Sequence, residues 1–512
     1  MAVNARSTQP AGGAAPADLT KVVVRGIGVS GAGYAATQVL TVTAYLVLAR
    51  LVTPAEFGEF AAGALYAGIG TLFAESGMLS ALIQRRDRVD EAASTALVAV
   101  LAAGVGLALL GLALAPLIGR FFGSDDVTLV TAAMSGYIVL RQMLIVPHAL
   151  LQRRFSFVRR LVSEPASVIA FGVTAITGAA YGMGGAWALV AGTYAAVTTQ
   201  VVAAWALVRW RPRLGQASFA LWRELVAYGK HITAADLVRR VTSESGAVFV
   251  GRFLGIAPLG QYQLAYRIAQ RPFAALVNSV TFVLFPAFAR IADDEARFQR
   301  AFLRSLRWLS IVAVPLSFIL FPLAEPLVTL LFGARWEEGG RALAAMSAFT
   351  AGWAFVSLAE HVAKVVDRPD VVLRLDLVAA ASTVVLTAAL VQVSLVAVGV
   401  GLSLSAIVVA AYSFSWLVRL TGTPLPRMAR EVSPALVAAT VMASSLWALD
   451  RLALDTGARS LAPGLALLAL EVAVGAVVYV VTLFALAPGA SRELTGWLTQ
   501  RLGARHETEP PR

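Results

Sequence analysis

Two segments that lie far apart in the chain decide the fold: RLVTPAEFGEF at residues 50–60 and RFLGIAPLGQY at residues 252–262. Aligned without a gap, they match at an arginine, a glycine and an aromatic residue, at a constant offset of 202. Each segment directly follows a long apolar stretch. We interpret them as corresponding points of an internal repeat, and the rest of the sequence decides between a repeat and a chance similarity.

The composition is that of a polytopic membrane protein. Of the 512 residues, 58% are hydrophobic and only 14% are charged, with a mean hydropathy of +0.74. Soluble domains are about 25% charged. The absence of cysteine excludes disulfides, thiol nucleophiles and thiolate metal sites, and the four histidines are scattered, so we expect no metal site. The net charge of +12 is spread between apolar spans, which indicates membrane lipids rather than nucleic acid as the partner.

A helix that crosses a bilayer needs about 20 mainly apolar residues. Fourteen such stretches are found, separated by short loops rich in Gly, Pro and acidic residues. They lie near residues 27–49, 60–82, 93–118, 127–147, 161–181, 186–208, 229–251, 261–286, 306–325, 342–362, 372–392, 398–418, 433–450 and 462–486.

The loops differ sharply in basic residues. One side of the fourteen spans holds 30 of the 42 Lys and Arg residues, the other side holds seven, and five lie inside spans. Because cytoplasmic loops are enriched in Lys and Arg, this bias predicts that both termini are cytoplasmic. The regular alternation supports the span count.

The two repeated segments end the first and the seventh span, both on the predicted outer side, which favours a true repeat of six helices. Since six is even, the two halves share one topology and are related by a pseudo-two-fold axis along the membrane normal. The sequence thus predicts an all-α integral membrane fold of about 14 helices, two six-helix lobes plus two extra C-terminal helices. The boundaries are 1–20, a disordered cytosolic tail; 21–208, the N-lobe; 209–228, a cytoplasmic linker; 229–420, the C-lobe; 421–490, helices 13 and 14; and 491–512, a cytosolic tail.

The seventh span carries Asp236, Arg240 and Glu244, four residues apart and therefore on one helix face, with Arg239 beside them. Ionisable residues inside a span face a bundle interior or a water-filled cavity. The stripe is either the wall of a hydrophilic lumen that binds charge or relays protons, or a ladder of ion pairs. Both interpretations place it away from lipid.

The eighth span carries Arg267 and Arg271 on one face, with Asn278 seven residues beyond. No acidic residue follows nearby in this span, and the planar guanidinium suits phosphate, so we favour contact with an anionic substrate. The alternative is pairing across helices, with Glu244 as the candidate partner.

Other polar residues allow two interpretations each. Arg141, near the cytoplasmic end of the fourth span, either lines the lumen or reaches out to the lipid headgroups. Gln38 belongs to a polar face of the first span that is either wet or hydrogen-bonded to other helices. Isolated acids could carry a coupling proton or be satisfied inside the bundle: Glu75, Glu164, Glu360, Asp376 and Glu471.

Motifs for cofactor chemistry fail in context. Residues 26–31 fit the GxGxxG spacing of dinucleotide-binding loops, but a membrane-length apolar stretch follows instead of a βαβ unit. No Lys is followed by Ser or Thr, which excludes a P-loop. We therefore expect no cofactor.

Several short segments together resemble one family. They are Arg50–Gly58, Leu82–Arg85, Leu150–Phe155, Gly182–Leu189, Val250–Gly255, Gly260–Tyr262, Ala265–Arg267 and Leu284–Phe288. The chain resembles the Wzx-type bacterial polysaccharide flippases of the multidrug/oligosaccharidyl-lipid/polysaccharide exporter superfamily, up to about residue 375. At Gly246 it departs from the family, where an Asp is common, and this puts ion coupling in doubt.

The resemblance implies a flippase, not an enzyme, of the bacterial inner membrane. It would move undecaprenyl-pyrophosphate-linked oligosaccharides from the cytoplasmic to the periplasmic leaflet for exopolysaccharide or lipopolysaccharide biosynthesis, in association with polymerase and export machinery. Arg267 and Arg271 would contact the head group. Two alternatives share the fold: a cation-coupled multidrug exporter and a lipid-linked peptidoglycan precursor flippase.

Overall fold

The computed structural model describes residues 37–75, 77–153, 157–208, 210–289 and 294–487, and these residues form helices and short connections without a β-strand. The predicted tails, 1–20 and 491–512, lie outside this part of the chain. The helices are α1 Thr37–Leu51, α2 Pro54–Glu75, α3 Met78–Gln84, α4 Val89–Phe122, α5 Asp125–Gln142, α6 Ile145–Arg153, α7 Phe157–Ala180, α8 Gly185–Leu207, α9 Phe219–Phe253, α10 Ile256–Ala289, α11 Glu295–Phe318, α12 Leu320–Phe332, α13 Glu337–Ala345, α14 Phe349–Val365, α15 Pro369–Leu390, α16 Leu395–Thr421, α17 Leu425–Leu449 and α18 Leu461–Leu486.

Several helices begin where a polar side chain caps the first turn. The first backbone N–H groups of a helix lack partners within the helix, and a Ser or Asp oxygen can accept from one of them. Asp294 accepts from the N–H of Arg297 at 3.0 Å, and Ser394 accepts from the N–H of Ala397 at 3.1 Å. These caps fix the start of α11 and α16.

The predicted all-helical membrane fold is confirmed, whereas the count of fourteen spans is not. Each predicted span overlaps a helix, but within the described residues nine helices are long and apolar enough to cross a membrane. A tenth results if Ala334–Ala345 and Phe349–Val365, bent by 42° at their junction, form one span. Three further apolar helical stretches contain fewer than 18 residues within the described part of the chain: Thr37–Leu51, Glu164–Ala180 of α7, and Leu320–Phe332.

Helices α9 and α10 correspond to the seventh and eighth predicted spans. They contain 35 and 34 residues, more than enough to cross about 30 Å of hydrocarbon at 1.5 Å per residue. They carry the ionisable residues singled out in the sequence, and charge inside a span is tolerated when it faces protein or water. A polar site is therefore expected where the charged faces of α9 and α10 meet other helices or water.

The two repeated segments pack against each other. A Cβ atom on Gly58 would lie 1.9 Å from the carbonyl oxygen of Ile256, and a Cβ on Gly260 would lie 1.9 Å from the carbonyl oxygen of Pro54. The offset of 202 relates Gly58 to Gly260 and also Pro54 to Ile256. The contact is thus reciprocal, as a two-fold relation between repeats requires. We call this contact of α2 with α10 the outer junction.

An apolar core surrounds the outer junction. Phe57, Tyr262 and Trp336 are all buried there, and the rings of Phe57 and Trp336 meet edge to face with centroids 5.8 Å apart. The indole of Trp336 donates a hydrogen bond to the carbonyl of Ala49 at 2.8 Å, and Arg50 donates to the carbonyl of Leu330 at 2.8 Å. The junction therefore joins the halves of the chain by packing and by hydrogen bonds.

Candidate functional site

A polar cavity of about 320 Å³ lies between α2 and α5 on one side and α9 on the other. The cavity lies at the C-terminal end of α2, whereas the outer junction lies at its N-terminal end. The charge bias of the sequence predicts that the cavity is in the cytoplasmic half. Its walls come from both predicted lobes. They are formed by Gly68, Thr71, Leu72, Glu75, Arg141, Asp236, Arg239, Arg240 and Ser243.

Arg240 occupies the wall nearest α2. One of its guanidinium nitrogens lies 3.1 Å from a carboxylate oxygen of Glu244, one turn further along α9. Its Nε is buried and has no hydrogen-bond partner among the described residues. A Cβ on Gly68 would lie 2.0 Å from its terminal nitrogen, so the absence of a side chain at Gly68 makes room for the guanidinium.

Arg239 on α9 links the cavity to α15 through an ion pair. Its guanidinium lies 3.2 Å from a carboxylate oxygen of Asp376 on α15. The Asp376 side chain is 9% exposed and that of Arg239 is 50% exposed. The pair therefore places a cation at the cavity surface and holds its counter-ion behind it.

Arg141 reaches the cavity from α5. Its guanidinium donates to the side-chain oxygen of Gln200 at 3.2 Å, and the amide of Gln200 donates to the hydroxyl of Ser167 at 3.0 Å. The Ser167 hydroxyl donates to the backbone carbonyl of Glu164. Glu164, one of the predicted polar residues of the lumen, thus joins the same series of hydrogen bonds through its backbone. Arg141 forms no carboxylate ion pair with the described residues, although Glu75 lines the same cavity.

Arg267 and Arg271 lie elsewhere. Arg267 donates to the hydroxyl of Tyr45 on α1 at 2.7 Å, and its guanidinium carbon lies 5.4 Å from the centre of that ring and 5.8 Å from the ring of Phe57. Arg271 donates to Gln38, also on α1. These two cations therefore contact α1 and do not line the cavity.

The predicted site residues thus form two groups. Asp236, Arg239, Arg240 and Arg141 line one cavity, with Glu244 bound to Arg240. The alternative considered for the eighth-span arginines, pairing with Glu244, is not seen, because Glu244 pairs with Arg240. Asn278 lies on α10, but its side chain is outside the described part of the chain.

The wall contains residues that the sequence analysis did not select as site residues. Glu75 was considered only as an isolated acid, and Thr71 and Ser243 were not considered. A signal existed for Thr71, which lies one turn before Glu75 and therefore on its helix face. Groups of three or more His, Cys, Asp or Glu side chains that could hold a metal do not occur among the described residues.

Comparison with known proteins places the chain in a family. Residues 47–339, more than half of the sequence, match the family described as "Polysaccharide biosynthesis protein", so the chain belongs to this family. The resemblance to polysaccharide flippases inferred from the sequence is confirmed at the level of the family.

Curated relatives match part of their length. The succinoglycan biosynthesis transport protein ExoT of Rhizobium meliloti (strain 1021) is 28% identical over 318 residues, which cover 62% of this chain and 64% of the relative. The lipopolysaccharide biosynthesis protein WzxC of Escherichia coli (strain K12) is 25% identical over 57% of this chain and 59% of the relative. The chain therefore spans somewhat less than two thirds of these relatives.

Solved structures show the same fold at low identity. The lipid II flippase MurJ in an inward closed conformation superposes with a TM-score of 0.72 at 13% identity, covering 90% of this chain and 99% of that structure. An inward-facing multidrug resistance MATE family transporter of the MOP superfamily gives a TM-score of 0.60 at 17% identity, covering 75% and 95%. The chain is therefore a multi-pass membrane protein of this fold.

Proposed function

We propose that this protein is a flippase that moves undecaprenyl-pyrophosphate-linked oligosaccharides from the cytoplasmic to the periplasmic leaflet of the bacterial inner membrane, with both termini in the cytoplasm. The family, together with relatives named for succinoglycan transport and lipopolysaccharide biosynthesis, supports a role in polysaccharide export. Its product would be consumed by a polymerase on the outer face.

The observation that carries this proposal is the cavity between α2, α5 and α9. It places three guanidinium groups around one space of about 320 Å³, and one of them, Arg141, pairs with an amide rather than a carboxylate. Guanidinium groups bind phosphate oxygens in bidentate geometry. A pyrophosphate cannot cross about 30 Å of hydrocarbon without such a partner.

The cavity is suited to the pyrophosphate rather than to the whole sugar. Its volume of about 320 Å³ lies at the lower end of the about 300–1,000 Å³ that is usual for pockets that bind small molecules. We infer that the lobes separate further to admit the oligosaccharide while the lipid tail stays in the bilayer. The tight outer junction supports an arrangement closed to the outside and accessible from the cytoplasmic half, as alternating access requires.

The same charges argue against export of small cations. A pocket for organic cations needs acidic and aromatic groups, whereas this cavity is lined by three arginines beside Glu75 and Asp236, and by no aromatic side chain of the described residues. A peptidoglycan precursor also carries a pyrophosphate, and the cavity does not discriminate against it. The relatives named for other polysaccharides favour the first substrate.

Transport can be measured with the purified chain in lipid vesicles. Vesicles would contain undecaprenyl-pyrophosphate linked to an oligosaccharide or to a peptidoglycan precursor, and a lectin or glycosidase outside would detect arrival in the outer leaflet. We expect transfer of the oligosaccharide lipid above protein-free vesicles. Transfer of the peptidoglycan precursor alone, or efflux of a fluorescent organic cation without transfer of either lipid, would contradict the proposal.

A further inference from the structure

Three arginines surround one tryptophan where α15 begins and α16 ends. The guanidinium carbons of Arg374 and Arg419 each lie 5.2 Å from the ring centre of Trp416, and that of Arg368 lies 5.9 Å away. Since all three are close to the same point, no two are more than about 11 Å apart. We call these four residues the Arg–Trp cluster.

The cluster has too little negative charge of its own. Asp370 pairs with Arg368 at 2.9 Å and with Arg374 at 3.6 Å. Arg419 forms no ion pair with the described residues. A cation is stabilised at a helix C-terminus, which suits Arg419, but it is disfavoured at a helix N-terminus, where Arg368 lies. Among the described residues, Asp370 is the one carboxylate that pairs with these three cations.

The tryptophan supplies a second, independent observation. Trp416 is 6% exposed, and its indole N–H is buried without a hydrogen-bond acceptor among the described residues. A buried donor left without a partner costs about 1–3 kcal/mol. The Arg–Trp cluster thus contains one unpaired buried donor in addition to its three guanidinium groups.

The surroundings place the cluster at a membrane surface. Leu373 and Leu377, which flank Arg374 on α15, are 51% and 50% exposed, as expected for side chains that face lipid. The charge bias of the sequence predicts that this end of α15 is cytoplasmic. The side chains of Arg368 and Arg374 are themselves about half exposed, so an anion can reach them.

We propose that the Arg–Trp cluster binds a phosphate group, supplied either by an anionic lipid of the cytoplasmic leaflet or by a soluble phosphate. The site shares no residue with the cavity between α2, α5 and α9, and its nearest link to that cavity is Asp376, two residues after Arg374, which pairs with Arg239. It is thus a second anion site, and its existence does not depend on the transported substrate.

The test uses the purified full chain in a neutral detergent. Its melting temperature would be followed in three separate titrations: with a short-chain phosphatidylglycerol, with a short-chain phosphatidylcholine, and with inorganic phosphate. Phosphatidylcholine is the control lipid because its choline neutralises the charge of its phosphate. The proteins would be the wild type, Arg374→Gln/Arg419→Gln, and the control Arg88→Gln. Arg88 is a suitable control because it also lies before a helix on the predicted cytoplasmic side and pairs with a nearby acid, Glu91.

We expect phosphatidylglycerol, but not phosphatidylcholine, to stabilise the wild type and the control. Loss of two charge-assisted contacts should weaken this binding at least about tenfold in the double variant. Stabilisation by inorganic phosphate at the same concentration would assign the site to a soluble phosphate. An unchanged response of the double variant, or no stabilisation of the wild type by either anion, would overturn the proposal.

A second variant protects the test against misfolding. Arg419→Gln alone breaks no ion pair among the described residues, so it is expected to melt within a few degrees of the wild type. It should still bind the anion several-fold more weakly. Native mass spectrometry of the wild type and Arg419→Gln, each from a mixture of phosphatidylglycerol and phosphatidylcholine, should show selective retention of phosphatidylglycerol that is several-fold lower in the variant.

Discussion

The outer junction should control which side of the protein is open. A methyl group at Gly58 or Gly260 would lie 1.9 Å from a backbone carbonyl of the opposite helix, whereas a carbon normally approaches a carbonyl oxygen to about 3.3–3.6 Å. The double variant Gly58→Ala/Gly260→Ala must therefore push α2 and α10 apart by about 1.4 Å. The backbone cannot turn away as a flexible side chain could.

The energy can be estimated from overpacking. An extra methyl group in a packed core costs about 1–3 kcal/mol, so two of them oppose the closed junction by about 2 kcal/mol or more. The gain of about 1 kcal/mol from replacing a helical Gly by Ala acts in open and closed forms alike. The ratio of closed to open forms should thus fall roughly thirtyfold or more.

The absence of cysteine makes the assay direct, because introduced thiols are the only ones in the chain. Spin labels at Asp126→Cys, in the first turn of α5, and at Ala334→Cys, between α12 and α13, report the separation of the halves by pulsed electron paramagnetic resonance, since both positions are exposed. We expect a longer distance population in the double variant.

Gly106→Ala is the matched control, since a methyl group on this helical glycine meets nothing within 4 Å. It should leave the distance distribution unchanged. If the folded Gly58→Ala/Gly260→Ala protein gives the same distances as the control, the glycine contact does not close the outer side and the reasoning fails.

Two further predictions concern the cavity. Gly68→Ala should displace the Arg240 guanidinium, which lies 2.0 Å from the added carbon, so lipid transfer should slow while the melting temperature stays within a few degrees of the wild type. An unchanged transfer rate would show that the position of Arg240 is unimportant. Asp376→Asn should free Arg239 from its carboxylate at 3.2 Å and strengthen binding of inorganic pyrophosphate up to about tenfold, measured by calorimetry. Weaker binding would mean that the pair itself forms the site.

The sequence could predict the helices and the repeat because both depend on local patterns. Hydropathy located the helices, and the aligned Gly58 and Gly260 indicated equivalent positions. It could not show that each glycine packs on the other segment, since contact between distant segments depends on the relative placement of whole helices. Helical periodicity likewise placed Asp236 and Arg240 on one face, and both side chains line the cavity.

Periodicity identifies a face but not the helix that meets it. Arg267 was expected to contact substrate, yet the structure directs it to Tyr45, because α1 covers that face of α10. Arg141 and Glu75 come from different helices with no sequence relation, and only packing brings them into one cavity. The head-group role of Arg267 stays a prediction.

The most direct test of the central claim compares two lipids that differ only in charge. Vesicles would contain the same oligosaccharide on the same polyprenyl chain, joined by a pyrophosphate or by an uncharged linkage, with wild-type protein or Arg141→Gln/Arg240→Gln. We predict that the wild type transfers the pyrophosphate lipid at least about tenfold faster than the neutral lipid, and that the double variant loses this preference. Equal transfer of both lipids by the wild type, or full preference in the folded variant, would contradict a cationic cavity that carries the pyrophosphate.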